Sequence, residues 1–173
     1  ATPYYDLELP SSGDSIEYRP FLVKEEKLLV LAMESQDQKQ ITKAIKEVIR
    51  SCIRGDIKVE SLPTFDIEYL FLNIRGKSVG EELEVNLICP DDGETQVAVT
   101  INLDDIKVKK SDNHSNRIEL DGSIMMEMKY PSLDEFIKNN FDLKEQSAMD
   151  QSFELIASCI GTIFTEDEVW AAA

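Results

Sequence analysis

The apolar residues of this chain change their spacing in blocks, and the order of those blocks restricts the fold. Apolar and polar side chains alternate over Tyr4 to Leu9 and Ser15 to Tyr18, on either side of Ser11, Ser12, Gly13 and Asp14, which predicts an N-terminal β-hairpin. From Pro20 to Gly80 the spacing becomes helical, from Leu83 to Tyr130 it returns to alternation, and from Pro131 it is helical again. Strands and helices that come in runs argue against a doubly wound parallel sheet. They predict an α+β fold, with a helical core, an N-terminal β-hairpin and a small antiparallel β-sheet inserted between helices.

Within this frame, Pro20 opens a helix whose apolar face is Phe21, Leu28, Leu29, Leu31 and Ala32 and whose solvated face is Lys24, Glu25, Glu26 and Lys27, ending near Ser35. A second helix, Gln38 to Ile53, stacks Ile41, Ala44, Ile45, Val48, Ile49 and Cys52 in one stripe and closes at Gly55. A third, buried helix follows Pro63 and Asp66 and ends near Gly76 or Gly80. Strands are expected at Leu83 to Cys89 and Val97 to Asn102, joined through Pro90 to Gly93, then at Ile106 to Lys109, Arg117 to Leu120 and Ser123 to Tyr130. Pro131 and Ser132 restart a helix, with Asp134 and Glu135 in the first turn where the helix dipole favours negative charge. The last helix, Met149 to Phe164, carries Phe153, Ile156, Ala157, Ile160 and Phe164. The expected organisation is one domain over 1–173, made of a hairpin (1–20), a helical part (21–80), an antiparallel β part (82–130) and a second helical part (131–170). The apolar pattern reaches Val169 and Trp170 before stopping at three alanines, which reads as a chain that continues further.

Charge narrows the partners. The 34 acidic residues outnumber the 18 basic ones, so the net charge of −16 repels phosphate backbones and anionic lipid headgroups. Neither a nucleic acid nor a membrane is expected as partner, and no apolar run reaches the roughly 18 residues of a membrane span. Cys52, Cys89 and Cys159 are scattered and odd in number, which argues for a reducing compartment and a soluble cytoplasmic protein.

No chemistry-bearing constellation assembles from the spacing. His114, in the polar loop Ser111 to Asn116, has no evident orienting neighbour and reads as an exposed loop residue. Cys89 before Pro90, Asp91, Asp92 and Gly93 resembles half a zinc knuckle without its second cysteine. Asp91, Asp92 and Glu94 lack the frame of a calcium loop, and Gly76, Lys77 and Ser78 lack the glycine that a phosphate loop places five residues earlier, where Phe71 stands. Met125, Met126 and Met128 with Tyr130 suit either a core or an adaptable contact. Phe65, Tyr69, Phe71 and Arg75 are residue types favoured at interface hot spots, although a buried central helix is the simpler account of them. Composition and spacing thus describe an acidic α+β protein that is not an enzyme and takes no cofactor or metal.

Two long runs add to this. Ile16 to Lys27 (IEYRPFLVKEEK) and Leu62 to Gly80 (LPTFDIEYLFLNIRGKSVG) resemble the baseplate hub assembly family of T-even-like contractile-tailed bacteriophages. The likeness extends through the Cys89 turn, the strand Val97 to Leu103 and the step Met128, Lys129, Tyr130, Pro131. It implies a non-enzymatic hub subunit or assembly chaperone of the tail baseplate, with phage baseplate hub or tail proteins as partners, working in the host cytoplasm during assembly or held in the virion baseplate. Two departures matter: some relatives have a fuller cysteine pair where this chain has Cys89 and Asp92, and members continue past the position of Trp170. The resemblance directs attention to one surface built from both runs, with Arg19, Pro20, Phe21, Lys24, Glu25, Phe65, Tyr69, Phe71 and Arg75 as partner-binding residues. Two alternatives stand beside it. One is an acidic cytosolic adaptor or host-directed inhibitor that binds a basic partner; the other is an enzyme assembled from dispersed carboxylates such as Asp66 and Glu68.

Overall fold

A computed structural model describes residues 2–137 and 147–171. The chain divides into two compact units, one formed by residues up to Val59 together with Phe65–Val108, the other by Glu60–Thr64 with residues from Lys109 onward. Helices and small antiparallel sheets alternate in runs through both, so the architecture is α+β.

The first unit opens with the expected hairpin, β1 (Tyr5–Glu8) paired with β2 (Ser15–Tyr18), and its turn is closed by the Gly13 amide bonding to the Leu9 carbonyl at 2.8 Å, with Gly13 at φ 78°. Helix α1 (Val23–Glu34) leads into α2 (Gln38–Cys52), and α2 is followed at once by β3 (Ile53–Arg54), a third strand on β2. Asp37 caps α2 by accepting the Lys39 and Gln40 amides at 2.9 and 3.4 Å, and Val48, Ile49 and Cys52 on its apolar stripe are fully buried. Each such side chain contributes on the order of 1.5–3 kcal/mol by leaving water.

Helix α3 (Thr64–Val79) buries Ile67, Leu70 and Ile74. It also buries Asp66 completely in its first turn, where the carboxylate accepts the Ser11 amide at 3.0 Å and the Ser11 hydroxyl, tying the hairpin turn to the helix. Strands β4 (Glu82–Ile88) and β5 (Gln96–Asn102) form a two-stranded ribbon, with Leu83 opposite Ile101 and Val85 opposite Val99. A 3-10 turn, Leu103–Asp105, then returns Leu103 to the core, where a Cβ added to Gly76 of α3 would stand 3.8 Å from its side chain.

In the second unit β6 (Arg117–Asp121), β7 (Ile124–Met128), β8 (Ile160–Phe164) and β9 (Val169–Ala171) make one antiparallel sheet in that order. Helix α4 (Leu133–Ile137) starts with a reciprocal cap: the Ser132 amide donates to Glu135 at 2.7 Å and the Glu135 amide to the Ser132 hydroxyl at 3.2 Å. Helix α5 (Ala148–Ser158) is capped by Ser147.

Four expectations are corrected. The strands of 82–130 do not share a sheet, because β6 and β7 pair with the C-terminal strands and leave β4 and β5 as a separate ribbon. Ile106 to Lys109 is not a strand. The first helix begins at Val23 and not at Pro20, since the Pro20 carbonyl and the Phe21 amide are engaged by the side chains of Arg19 and Ser78. The last helix ends at Ser158; Ile160 and Phe164 belong to β8, where β-branched Ile160, Thr162 and Ile163 pair with β7. The helical expectation for 138–146 lies outside the described residues.

Candidate partner-binding surface

The run Ile16 to Lys27 and the part of the second run from Phe65 to Gly80 both lie in the first unit. Arg19 follows β2, and its amide donates to the Cys52 carbonyl at 2.9 Å. Its guanidinium donates from Nη1 to the Pro20 carbonyl at 2.8 Å, and from Nη2 to the Ser51 carbonyl at 2.8 Å and to Glu25 Oε1 at 3.0 Å. One cation thereby satisfies a carbonyl at the C-terminal end of α2, where the helix dipole favours positive charge. Glu25 Oε2 accepts the Leu22 amide at 2.8 Å, so the same ion pair closes the N-terminus of α1, and Lys24 Nζ reaches Glu25 Oε1 at 3.3 Å. Burial alone would raise the Glu25 carboxyl, but the bonds from Arg19, the Leu22 amide and Lys24 outweigh it and hold the group below its ordinary value of 4.5.

A second link joins this node to α3. The Phe21 amide donates to the Ser78 hydroxyl at 2.9 Å, and that hydroxyl donates to the Ile74 carbonyl at 2.5 Å. Pro20 and Phe21 are thus pinned by Arg19 and Ser78. Of the nine candidate residues, Arg19, Pro20, Phe21, Lys24 and Glu25 come together at this corner. Glu25 is 3% exposed and does not lie on the expected solvated face; the demand of the Leu22 amide and of Arg19 for a buried acceptor explains its position. Phe65, Tyr69, Phe71 and Arg75 lie half-buried along α3, and Arg75 Nη1 is buried with no hydrogen-bond acceptor among the described residues. Of the nine, Lys24 alone is exposed.

The surface that spacing does not bring out is α1 itself. Only Glu25 and Ala32 of its residues are buried, while Val23, Leu28, Val30, Leu31 and Met33 are 40–80% exposed. Between α1 and α2 runs a groove of about 300 Å³ lined by Leu28, Leu31, Ala32, Gln40, Lys43, Ala44 and Glu47. A signal is present: valines, leucines and a methionine on every side of a twelve-residue helix indicate an element covered on more than one face. In the second unit α5 similarly exposes Met149, Phe153 and Ile156.

Two of the remaining motifs have hydrogen-bond partners within the chain. His114 does have a partner, the Tyr130 hydroxyl at 2.8 Å, with the two rings stacked. Asp92 closes the β4–β5 turn by accepting the Thr95 hydroxyl and the Glu94 and Thr95 amides, bonds that lower its pKa to about 2, and Gly93 takes φ 69° beside it. Among the described residues no group of three or more His, Cys, Asp or Glu is placed to hold a metal ion, and no helix is long and apolar enough to cross a membrane.

No curated protein and no solved structure matches the chain. A family model described as T4 bacteriophage base plate protein matches residues 2–173, the full span that contains both the Arg19 corner and α3, and the chain therefore belongs to the T4 bacteriophage base plate protein family.

Proposed function

We propose that this base plate protein acts without catalysis in building the central hub of a contractile-tail baseplate, as a hub subunit or as an assembly chaperone, in the host cytoplasm while the baseplate forms. The observation that carries the reading is the open apolar groove between α1 and α2. It borders a helix that its own chain leaves largely uncovered and whose start is fixed by Arg19 and Glu25. An apolar trough on a pre-organised helix pair is a seat for side chains of another protein. The strongly acidic chain then favours partners with basic rims and suppresses encounter with others of its own charge sign.

The test has two parts. A tag on the protein recovers baseplate intermediates from infected cells, and quantitative mass spectrometry measures the protein there and in purified virions. Fixed stoichiometry in both marks a hub subunit, presence in the intermediates alone marks a chaperone, and absence from both overturns the reading. In parallel, Leu28→Glu, at a side chain 40% exposed in the groove, should abolish recovery of the hub proteins without changing the circular dichroism spectrum. Unchanged recovery would remove the groove from the contact.

A further inference from the structure

The outer edge of β5 is open. Its neighbour in the ribbon is β4, in a register that runs from Glu82 opposite Asn102 to Ile88 opposite Gln96. Just beyond the two ends, the Leu103 amide bonds to the Glu81 carbonyl at 2.7 Å and the Cys89 amide to the Thr95 carbonyl at 2.8 Å. Opposed residues of an antiparallel ladder alternate between exchanging both bonds and facing away. Val97, Val99 and Ile101 therefore turn their backbone groups toward β4, while Gln96, Ala98, Thr100 and Asn102 turn theirs outward. All four are exposed, and among the described residues no strand bonds to them from that side. On one face of the ribbon Leu83, Val85 and Leu87 stand opposite Ile101, Val99 and Val97, with Leu87 and Val97 still 52% and 49% exposed. Two strands alone are marginal in water, and a third would extend both the ladder and this apolar face.

The charges around this edge say what fits it. Strand β5 reads QVAVTIN, without the charged residue or proline that edge strands use to refuse a neighbour. Acids stand at both of its ends, Asp91, Asp92 and Glu94 in the turn before it and Asp104 and Asp105 after it, and from Ser78 to Ile106 the chain has no Lys, Arg or His. Lys77 on α3 reaches Asp104 at 3.9 Å; Glu94 has no ion pair among the described residues. A second copy fits badly. Antiparallel self-pairing over the whole strand, Val99 on Val99, sets Glu94 of each copy opposite Asp104 of the other at both ends, and parallel pairing in register sets each acid beside its like. We propose that the β5 edge takes an extended segment of another protein as a third strand. The segment is uncharged over about seven residues, apolar at alternate positions and flanked at both ends by Lys or Arg, so that its bases meet Glu94 and Asp104. This surface is separate from the α1–α2 groove, and the proposal does not depend on the hub reading.

The probe is the synthetic peptide KKTVTVTVTKK, whose seven central residues match β5 in length and whose outer lysines then fall opposite positions 94 and 104. It is titrated to about 1 mM into the isotope-labelled full chain, and amide exchange is read residue by residue by NMR. The expected result is new protection at Gln96, Ala98, Thr100 and Asn102 with little change at Val97, Val99 and Ile101, an alternation that loose electrostatic adhesion does not produce. The peptide EETVTVTVTEE should give none. Ala98→Pro removes an outward amide that β4 does not use and should abolish the effect. Glu94→Lys should weaken binding by about three- to tenfold, and this arm holds even if Ala98→Pro disturbs the ribbon. Absence of protection, protection without the alternation, or equal binding of the two peptides would each overturn the proposal. So would indifference to Glu94→Lys, or a chain that protects the same four amides by dimerising on its own, which would give the edge to a second copy.

Discussion

Replacing Glu25 tests whether the corner that joins the two family runs is held as described. Glu25 receives Arg19 and the Leu22 amide at 3% exposure, and Arg19 itself retains only 11% of its side-chain surface. Removing one member of a buried pair costs about 3–5 kcal/mol, and losing an N-terminal cap about 1 kcal/mol. Arg19 keeps two carbonyl acceptors, those of Pro20 and Ser51, which places Glu25→Ala near the lower end, at about 3 kcal/mol. Glu25→Gln preserves an acceptor for the Leu22 amide and loses only the charge, so about half of that loss is expected.

The pH dependence follows from the same contacts. A carboxyl held below 4.5 in the folded state contributes stability that is fully present above that value and is lost as pH falls through the folded-state pKa. The gap between wild type and Glu25→Gln should therefore be widest at neutral pH and close in acid. Urea unfolding by circular dichroism, with hydrogen exchange of the α1 and α2 amides as local probe, measures both. A loss below about 1 kcal/mol for Glu25→Ala, the size of an exposed ion pair, would refute the reasoning. So would a Glu25→Gln gap that persists unchanged in acid.

Three further outcomes are expected. Burial pushes the Cys52 thiol up to about 11 and leaves it no exposed surface, so mass-mapped alkylation at pH 8 should label Cys89 and Cys159 in the native protein and reach Cys52 only after unfolding. Asp66→Ala should strand the Ser11 amide and hydroxyl and lower stability by about 1–3 kcal/mol in urea titration, with Ser11→Ala milder because its amide bond to Asp66 survives. Gly161→Ala would place a Cβ 3.1 Å from the Glu127 backbone oxygen, and the resulting shift between β7 and β8 should cost about 1–3 kcal/mol, read as faster amide exchange in those strands.

What is legible in the sequence is what local pattern controls. Helix α2 announces itself through one clean apolar stripe and Gly55, and the structure departs from that reading by a single residue. The β4–β5 ribbon follows from strict alternation on both sides of the Asp92 and Gly93 turn. Spacing over-extends the last helix because Ile156, Ile160 and Phe164 also satisfy helical periodicity; Gly161 and three β-branched residues within Ile160 to Ile163 are the contrary signal. Nothing local reveals Glu25, which stands among Lys24, Glu26 and Lys27 like any solvated acid. Its partner Arg19 is six residues back, and the Ser51 carbonyl that fixes Arg19 lies 32 residues beyond that arginine. The Phe21 link to Ser78 spans 57 residues and is invisible for the same reason.

The apolar character of α1 marks the boundary between what the chain does for itself and what it leaves to others. Its pattern calls for cover on several sides, since each fully buried Val, Leu or Met side chain is worth about 1.5–3 kcal/mol. Among the described residues of α1, Glu25 and Ala32 are the buried ones, and one of the two is a carboxylate serving as a cap. A structural helix would not need Val23, Val30 and Met33 facing water. With 16 excess negative charges keeping separate copies apart in solution, such an exposed helix avoids indiscriminate adhesion, and a productive contact must combine apolar fit with local charge order. The groove toward α2, where Lys43 and Glu47 border Leu28, Leu31, Ala32 and Ala44, offers both. Leu28→Glu should therefore abolish partner recovery, whereas Val30→Glu, on a side of α1 outside the groove, should leave it intact.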